Sequence, residues 1–285
     1  MKPPRLDLDA VRRIVRAALE EDLGEAGDLT TTAVVPEALR GTGRLVARSR
    51  LAVAGLAVAG EVFAALDETL RFEARIEEGA VAEAGAVLAV VRGAARPILS
   101  GERTALNFLG RMCGIATAVR DAVAEIEGTG ATVLDTRKTA PGLRILDKYA
   151  VAAGGGRNHR RGLYDEVMIK DTHLAVAGPV GAAVRRALAA GHPPAIVTVE
   201  VRSEREMEEA IRAGATRILL DNMSPAALRS CVRAAGGRAR LEASGGLRPG
   251  SLREVAESGV DFLSLGWLTH SSPVADVALE MEAEI

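Results

Sequence analysis

IVTVEVRSEREMEEAIRAGATRILLDN, residues 196–222, holds one complete strand–helix–strand unit. Two short apolar runs, IVTVEV and RILLDN, each reach an acid near their end, Glu200 in the first and Asp221 in the second. Between them residues 203–213 carry helical spacing, and Gly214 follows where a helix end favours glycine. The same rhythm runs outward in both directions. TVLDT and VMIKD precede this unit, and ARLEAS and DFLSLG follow it, so strand ends fall near 136, 171, 200, 221, 244 and 266. Helices at 225–235 and 251–257 are again trailed by glycines, 236 and 259. Short strands alternating with helices predict an α/β fold with a parallel sheet. Six such units fall short of the eight in a closed barrel, so an incomplete, open α/β barrel is expected, with a doubly wound sheet as the competitor.

The first hundred residues read differently. Residues 9–21 predict a helix with Val11, Ile14, Val15, Ala18 and Leu19 on one face. An acidic loop follows at 21–31, then strands at 42–53 and 70–77 flanking a helix at about 56–67, and a strand at 87–91. These predict a small mixed α/β sandwich. Ala105, Leu106, Leu109, Met112 and Cys113 recur at helical spacing, which predicts a helix from near Ser100 that breaks at Gly114 and resumes to Ile126. The domains expected are 1–113, the sandwich; 114–273, the barrel; and 274–285, a strand returning to the N-terminal layer.

Composition narrows the function classes. The chain is 48% hydrophobic and 26% charged, enough apolar content for a packed core. A net charge of −2 and 2% aromatic residues argue against a nucleic-acid binder, which needs a basic face and stacking rings. Cys113 and Cys231 both fall in predicted helices and make neither a disulfide framework nor a zinc pattern. The opening MKPPRLDLDA turns acidic before any apolar stretch, and the run Leu51–Gly60 is too short to span a bilayer. A soluble cytoplasmic protein is expected, with no nucleic-acid or membrane partner.

The strand ends carry the chemistry. They bear Asp135, Arg137, Lys138, Lys170, Asp171, Glu200, Asp221, Glu242 and Ser244. Ligands of parallel α/β folds sit at the carboxyl ends of strands, so these side chains are expected to share one cavity. A carboxylate directly after an apolar strand is costly without a cationic partner or a divalent ion. Arg137, Lys138, His159, Arg160 and Lys170 form a cationic set suited to a small polycarboxylate, since arginine grips a carboxylate through two hydrogen bonds. A solvated surface patch is the plainer account of Arg157, Arg160 and Arg161. Ser244-Gly245-Gly246 and Gly266 offer backbone N–H groups to a phosphate. No Walker or Gly-x-Gly-x-x-Gly pattern occurs, which disfavours nucleotide hydrolysis and dinucleotide binding. His173, His192 and His270 have no metal-ligand spacing.

Ordered blocks across most of the chain carry a resemblance: EDLGEAGDLTT at 21–31, GERTALNFLGRMCGIAT at 101–117, DTRKTAPGLRILDKYAVAAGGGRNHRRGL at 135–163, MIKDTH at 168–173, ILLDNMSP at 218–225, LEASGG at 241–246 and LSLGWLTHS at 263–271. The chain resembles the quinolinate phosphoribosyltransferases, also called carboxylating nicotinate-nucleotide pyrophosphorylases. The resemblance implies an N-terminal sandwich and an incomplete barrel. It implies conversion of quinolinate and phosphoribosyl pyrophosphate to nicotinate mononucleotide, carbon dioxide and pyrophosphate in NAD biosynthesis, with Mg²⁺ as cofactor. On it, Arg137, Lys138, His159, Arg160 and Lys170 would line the quinolinate and pyrophosphate region. Arg103 would come from the partner subunit of a homodimer. Glu200 and Asp221 would face the ribose and the Mg²⁺, mainly through substrate and water. Ser244, Gly245, Gly246, Gly266 and His270 would form the 5-phosphate end, and Lys138, Glu200 and Asp221 would be the catalytic residues. The chain departs from the family pattern at Ala140, Thr172 and Trp267, where Thr, Asn and a small residue are expected.

Three other functions compete. One is a paralogue associated with molybdenum transport that uses a different phosphoribosyl acceptor. Another is a barrel isomerase or aldolase in which Lys138 or Lys170 forms a Schiff base. The third is a non-catalytic quinolinate sensor.

Overall fold

The computed structural model describes residues 4–284. The chain folds into two compact units. One takes the residues up to Arg120, 139–155 and those from Leu268 onward, and the other takes Asp121–Lys138 and Gly156–Trp267.

The first unit begins with α1 (Leu8–Leu23), whose start is set by Asp7: its carboxylate accepts the N–H groups of Asp9 and Ala10, and Val11, Val15 and Leu19 form the buried stripe. Then come α2 (Leu29–Val34), β1 (Arg40–Ala47), β2 (Leu51–Ala52), α3 (Leu56–Leu66), β3 (Arg71–Ala74), β4 (Val81–Ala82), β5 (Val87–Ala94) and α4 (Ala95–Glu125). The expected strand at 42–53 is thus two: β1 lies in a four-stranded sheet, while β2 pairs separately with β4. The start of α3 has no local cap; the Glu78 carboxylate, from a distant loop, accepts the N–H groups of Gly55 and Leu56 instead. Phe63 of α3 stacks on Phe72 of β3 across the sandwich.

The helix expected from Ser100 is longer than its periodicity indicated, and Gly114 does not break it: α4 is continuous over 31 residues. Gly114 is there for a tertiary reason. An ideal Cβ on it would sit 1.8 Å from the carbonyl oxygen of Pro273, so only glycine lets the C-terminal segment cross the helix at that point. One turn earlier the Gly110 carbonyl accepts the Ala275 N–H at 2.9 Å.

The second unit is a six-stranded parallel sheet. Its strands are β6 (Thr132–Leu134), β7 (Val167–Ile169), β8 (Val197–Val201), β9 (Arg217–Asp221), β10 (Arg240–Ser244) and β11 (Phe262–Ser264), in the spatial order β6-β11-β10-β9-β8-β7. Among the described residues β6 and β7 do not pair, so the barrel is open, as expected. The intervening helices are α5 (Arg144–Ala153), which belongs to the first unit, then α6 (Asp171–Ala177), α7 (Val180–Ala189), α8 (Glu204–Arg212), α9 (Pro225–Ala235) and α10 (Leu252–Ala256); α11 (Trp267–His270) follows β11, and from Leu268 onward it belongs to the first unit. Ser203 caps α8 through the Glu206 N–H, and Ser224 with Pro225 starts α9. Val197, Val199, Val201, Ile218, Leu220, Leu241, Ala243 and Leu263 fill the core of the unit. The chain closes with β12 (Val277–Ala283), which pairs antiparallel with β1 at the edge of the first unit's sheet, order β12-β1-β5-β3. Among the described residues no helix is long and apolar enough to cross a membrane.

Candidate active site

The strand register gathers the polar residues at the carboxyl end of the parallel sheet. Ser244 lies level with Asp221 on one side and Ser264 on the other, and Ser264 is level with Leu134. Just past β6, Asp135 is fully buried. Burying a carboxylate demands donors, and they come from the segment after the glycine run: the His159 N–H at 2.7 Å and the Asn158 amide at 2.8 Å. That segment runs beside β6, with the Arg157 N–H donating to the Val133 carbonyl and the Asp135 N–H to the Arg157 carbonyl. Gly154–Gly156 therefore turn the chain so that Asn158, His159 and Arg160 meet the strand end bearing Arg137 and Lys138.

His159 is buried, and its Nδ1 accepts the Arg160 N–H at 2.6 Å. This leaves the ring proton to Nε2, which faces Glu242 Oε2 at 3.3 Å. The other Glu242 oxygen accepts the Ser264 hydroxyl at 2.5 Å. The imidazole thus lies between the Arg160 backbone on one side and the Glu242 carboxylate on the other. Arg160 is buried beside it and donates to the Glu166 carbonyl at 3.1 Å. Burial first, and the nearby positive charge of Arg137 second, pull the Arg160 guanidinium below its ordinary pKa; Glu166 and Asp165 oppose this. Two guanidiniums held close enough to repel favour an anion between them. Lys138 is exposed at the same strand end.

The acids sit on the neighbouring strands. Lys170, past β7, places Nζ 3.4 Å from Glu200 Oε2. Asp221 Oδ1 accepts from the Asn222 amide at 2.9 Å, while Oδ2 lies 3.3 Å from Arg202 Nε. Arg202 also reaches Asp171 Oδ2 at 2.7 Å. Asn222 is the one non-glycine residue with positive φ among those described, at 54°. Its backbone N–H donates to the Ser244 carbonyl at 2.8 Å, and its side chain packs on Gly245 so closely that a Cβ there would meet Asn222 Oδ1 at 2.4 Å. Gly245 at φ +94° thereby joins the Asp221 turn to the Ser244-Gly245-Gly246 turn.

Arg137, Lys138, His159, Arg160, Lys170, Glu200, Asp221, Ser244, Gly245, Gly246 and Gly266 all belong to the second unit, at or beyond the carboxyl ends of its strands. Arg103, exposed on α4, and His270, whose Nδ1 is 2.5 Å from the Ser271 hydroxyl, belong to the first unit. Three further side chains take part. Glu242 stood out as an acid at a strand end, but its burial against His159 depends on the neighbouring strands. Asn222 and Arg202 carry no local signal beyond directly following β9 and β8. Among the described residues no group of three or more His, Cys, Asp or Glu side chains is placed to hold a metal ion. Glu200 and Asp221, with their cationic partners, are the hard oxygen donors on adjacent strands.

Family models describing the N-terminal and C-terminal domains of quinolinate phosphoribosyl transferase match residues 28–113 and 115–280. The chain belongs to the quinolinate phosphoribosyltransferase family. It is 39% identical over 271 residues to a probable nicotinate-nucleotide pyrophosphorylase (carboxylating) of Bacillus subtilis (strain 168), covering 95% of this chain and 93% of that protein. It is 37% identical over 303 residues to quinolinate phosphoribosyltransferase (decarboxylating) 1b of Nicotiana tabacum, covering 100% of this chain and 86% of the relative. The solved structure of NadC from Streptococcus pyogenes superposes with a TM-score of 0.93 at 34% identity, covering 99% of this chain and all of the other. The nicotinate-nucleotide pyrophosphorylase of Francisella tularensis gives 0.91 at 33% identity, with 99% of each chain covered. The family's C-terminal domain, as matched here, includes α5 and the start of β12, both of which pack in the first unit.

Proposed function

We propose that this protein is a cytoplasmic quinolinate phosphoribosyltransferase. It joins quinolinate to phosphoribosyl pyrophosphate and releases nicotinate mononucleotide, carbon dioxide and pyrophosphate, a step of NAD biosynthesis. The observation that carries this reading is the buried Arg160 guanidinium, pulled below its ordinary pKa by burial first and by the charge of Arg137 second, at a strand end that also bears Lys138. Quinolinate has two adjacent carboxylates, and such a site answers both.

Arg137 and Arg160 grip the carboxylates, and Lys138 orients them beside the ribose carbon. His159 positions Arg160 through its backbone N–H. No protein nucleophile is needed, because the pyridine nitrogen carries a lone pair and no proton. As pyrophosphate departs, positive charge grows on the anomeric carbon, and Glu200 and Asp221 stabilise it while holding the ribose hydroxyls. Attack by nitrogen makes the ring cationic. The neighbouring carboxylate then leaves as carbon dioxide, and the electron pair left on the ring carbon is stabilised beside the positive nitrogen until a proton replaces it. Ser244, Gly245, Gly246 and Gly266 receive the 5-phosphate. Mg²⁺ would neutralise the departing pyrophosphate. Two separate carboxylates suit an ion that takes most of its oxygens from substrate and water. The assembly is a homodimer in which Arg103, exposed on α4, serves the partner's site.

Nicotinate, with one carboxylate, tests the reading. Losing one charge-assisted contact of a buried pair costs on the order of 2–5 kcal/mol, so nicotinate should be at least about thirtyfold less efficient than quinolinate. The measurement is nicotinate mononucleotide by chromatography, with carbon dioxide and pyrophosphate in equal amounts. Comparable efficiency with nicotinate, or no product from quinolinate, defeats the proposal.

A further inference from the structure

Arg202 has no part in the reaction described so far, yet it occupies a central position among the strand-end acids. It directly follows β8, the strand between β7 and β9. Val201 is level with Leu220, which brings the next residue, Arg202, level with Asp221. On the other flank Asp171 follows β7. The guanidinium bridges both acids, 2.7 Å from Asp171 Oδ2 and 3.3 Å from Asp221 Oδ2. Its backbone N–H is fixed to Glu206 Oε2 at 2.8 Å, so the pivot is held while the side chain, 60% exposed, is not.

Such exposed pairs are worth little individually and exchange readily. Asp221 nevertheless has both oxygens engaged, one by Asn222 and one by Arg202. A divalent cation can take Asp221 Oδ2 only if Arg202 gives it up, since two cations on one carboxylate oxygen repel. Arg202 then needs another anion, and a substrate that brings a diphosphate brings one. The planar fork of arginine matches phosphate oxygens as well as it matches carboxylates. Lys170 stands in the same relation to Glu200, at 3.4 Å.

We propose that Arg202 is a pyrophosphate-binding residue held in reserve by Asp171 and Asp221. It guards Asp221 in the empty protein and moves to the diphosphate oxygens when substrate and cation arrive. This rests on the activity proposed above and adds to it a residue and an exchange of partners.

The exchange predicts opposite effects on two ligands. Arg202→Gln should weaken binding of inorganic pyrophosphate, measured calorimetrically at low salt without divalent cation, by about tenfold. The same change should tighten binding of Mn²⁺, followed by electron paramagnetic resonance, severalfold, because Asp221 loses its competitor. Asp171→Asn, which removes one of Arg202's two holders, should tighten pyrophosphate binding instead. Unchanged pyrophosphate affinity in Arg202→Gln, or weaker binding of both ligands, would reduce Arg202 to a surface ion pair and overturn the inference. Turnover of quinolinate by the unaltered protein is scored separately. Its absence defeats the activity, whereas turnover with unmoved ligand affinities defeats only the role of Arg202.

Discussion

Replacing Gly114 by alanine sets helix propensity against tertiary packing, and the two have opposite signs. Gly114 lies inside the 31-residue helix α4, where alanine is favoured over glycine by about 1 kcal/mol. The added Cβ, however, would lie 1.8 Å from the Pro273 carbonyl oxygen and 3.2 Å from the Ala275 nitrogen. A comfortable carbon–oxygen approach is about 3.3 Å, so the crossing chain must retreat by roughly 1.5 Å. It has little freedom to do so. The Ala275 N–H is tied to Gly110 at 2.9 Å, and β12 begins two residues later in a seven-residue register with β1. Overpacking against backbone costs about 1–3 kcal/mol or more, and breaking the Ala275 bond adds about 1. A net loss of about 1–3 kcal/mol is expected after the propensity gain. Urea unfolding followed by circular dichroism measures it. Asn107→Ala, at an exposed position of the same helix, is the control and should be neutral or stabilising by about 0.5 kcal/mol. If Gly114→Ala matches or exceeds the parent in stability, the close crossing does not constrain the fold and the reasoning fails.

Asp147 is fully buried and receives two hydrogen bonds from Arg111, at 2.8 and 2.7 Å, and one from the Ala140 N–H, two residues after Lys138. Asp147→Leu alone should cost about 3–5 kcal/mol, and the double change with Arg111→Met markedly less, both read from chemical denaturation; equal losses would show that the pairing itself is not what matters. Asp28 caps α2 through the Thr31 N–H and accepts the Ser100 hydroxyl, and Asp28→Ala should lose about 1 kcal/mol at neutral pH. Hydrogen bonding from Thr31 above all holds the Asp28 carboxyl below its usual range. The stabilisation by this carboxylate is therefore complete above the ordinary carboxyl range and fades as pH falls through the lowered value. Melting temperatures of the two proteins should converge in acid, and a gap that persists or widens there would contradict this account.

The strand-end chemistry was legible because it is local. An apolar run ending in Asp-Thr-Arg-Lys or in Lys-Asp marks a site whatever lies beside it, and the ordered blocks around those runs identified the family. Which of the marked residues form the framework was not legible. Asp135 and His159 are as polar as Lys138 in sequence, yet the first two are buried in hydrogen bonds and Lys138 is exposed. That difference depends on Asn158 and His159 returning to β6, a contact across more than twenty residues. Arg202 is a similar case, since its two partners lie 31 and 19 residues away on different strands.

By itself the sequence determined the repeating strand–helix rhythm, its open barrel, the glycines that trail α8 and α9 and the cationic character of the strand ends. These follow from periodicity, the preference of helix ends for glycine and charge, which act over a few residues. Tertiary structure alone decided that β6, the first strand of the parallel sheet, pairs with β11, the last; that α5 packs with the first unit; and that Gly114 makes room for a crossing chain rather than ending a helix. Each depends on which distant segments share a surface, and hydrophobic period constrains which face is buried without specifying what covers it.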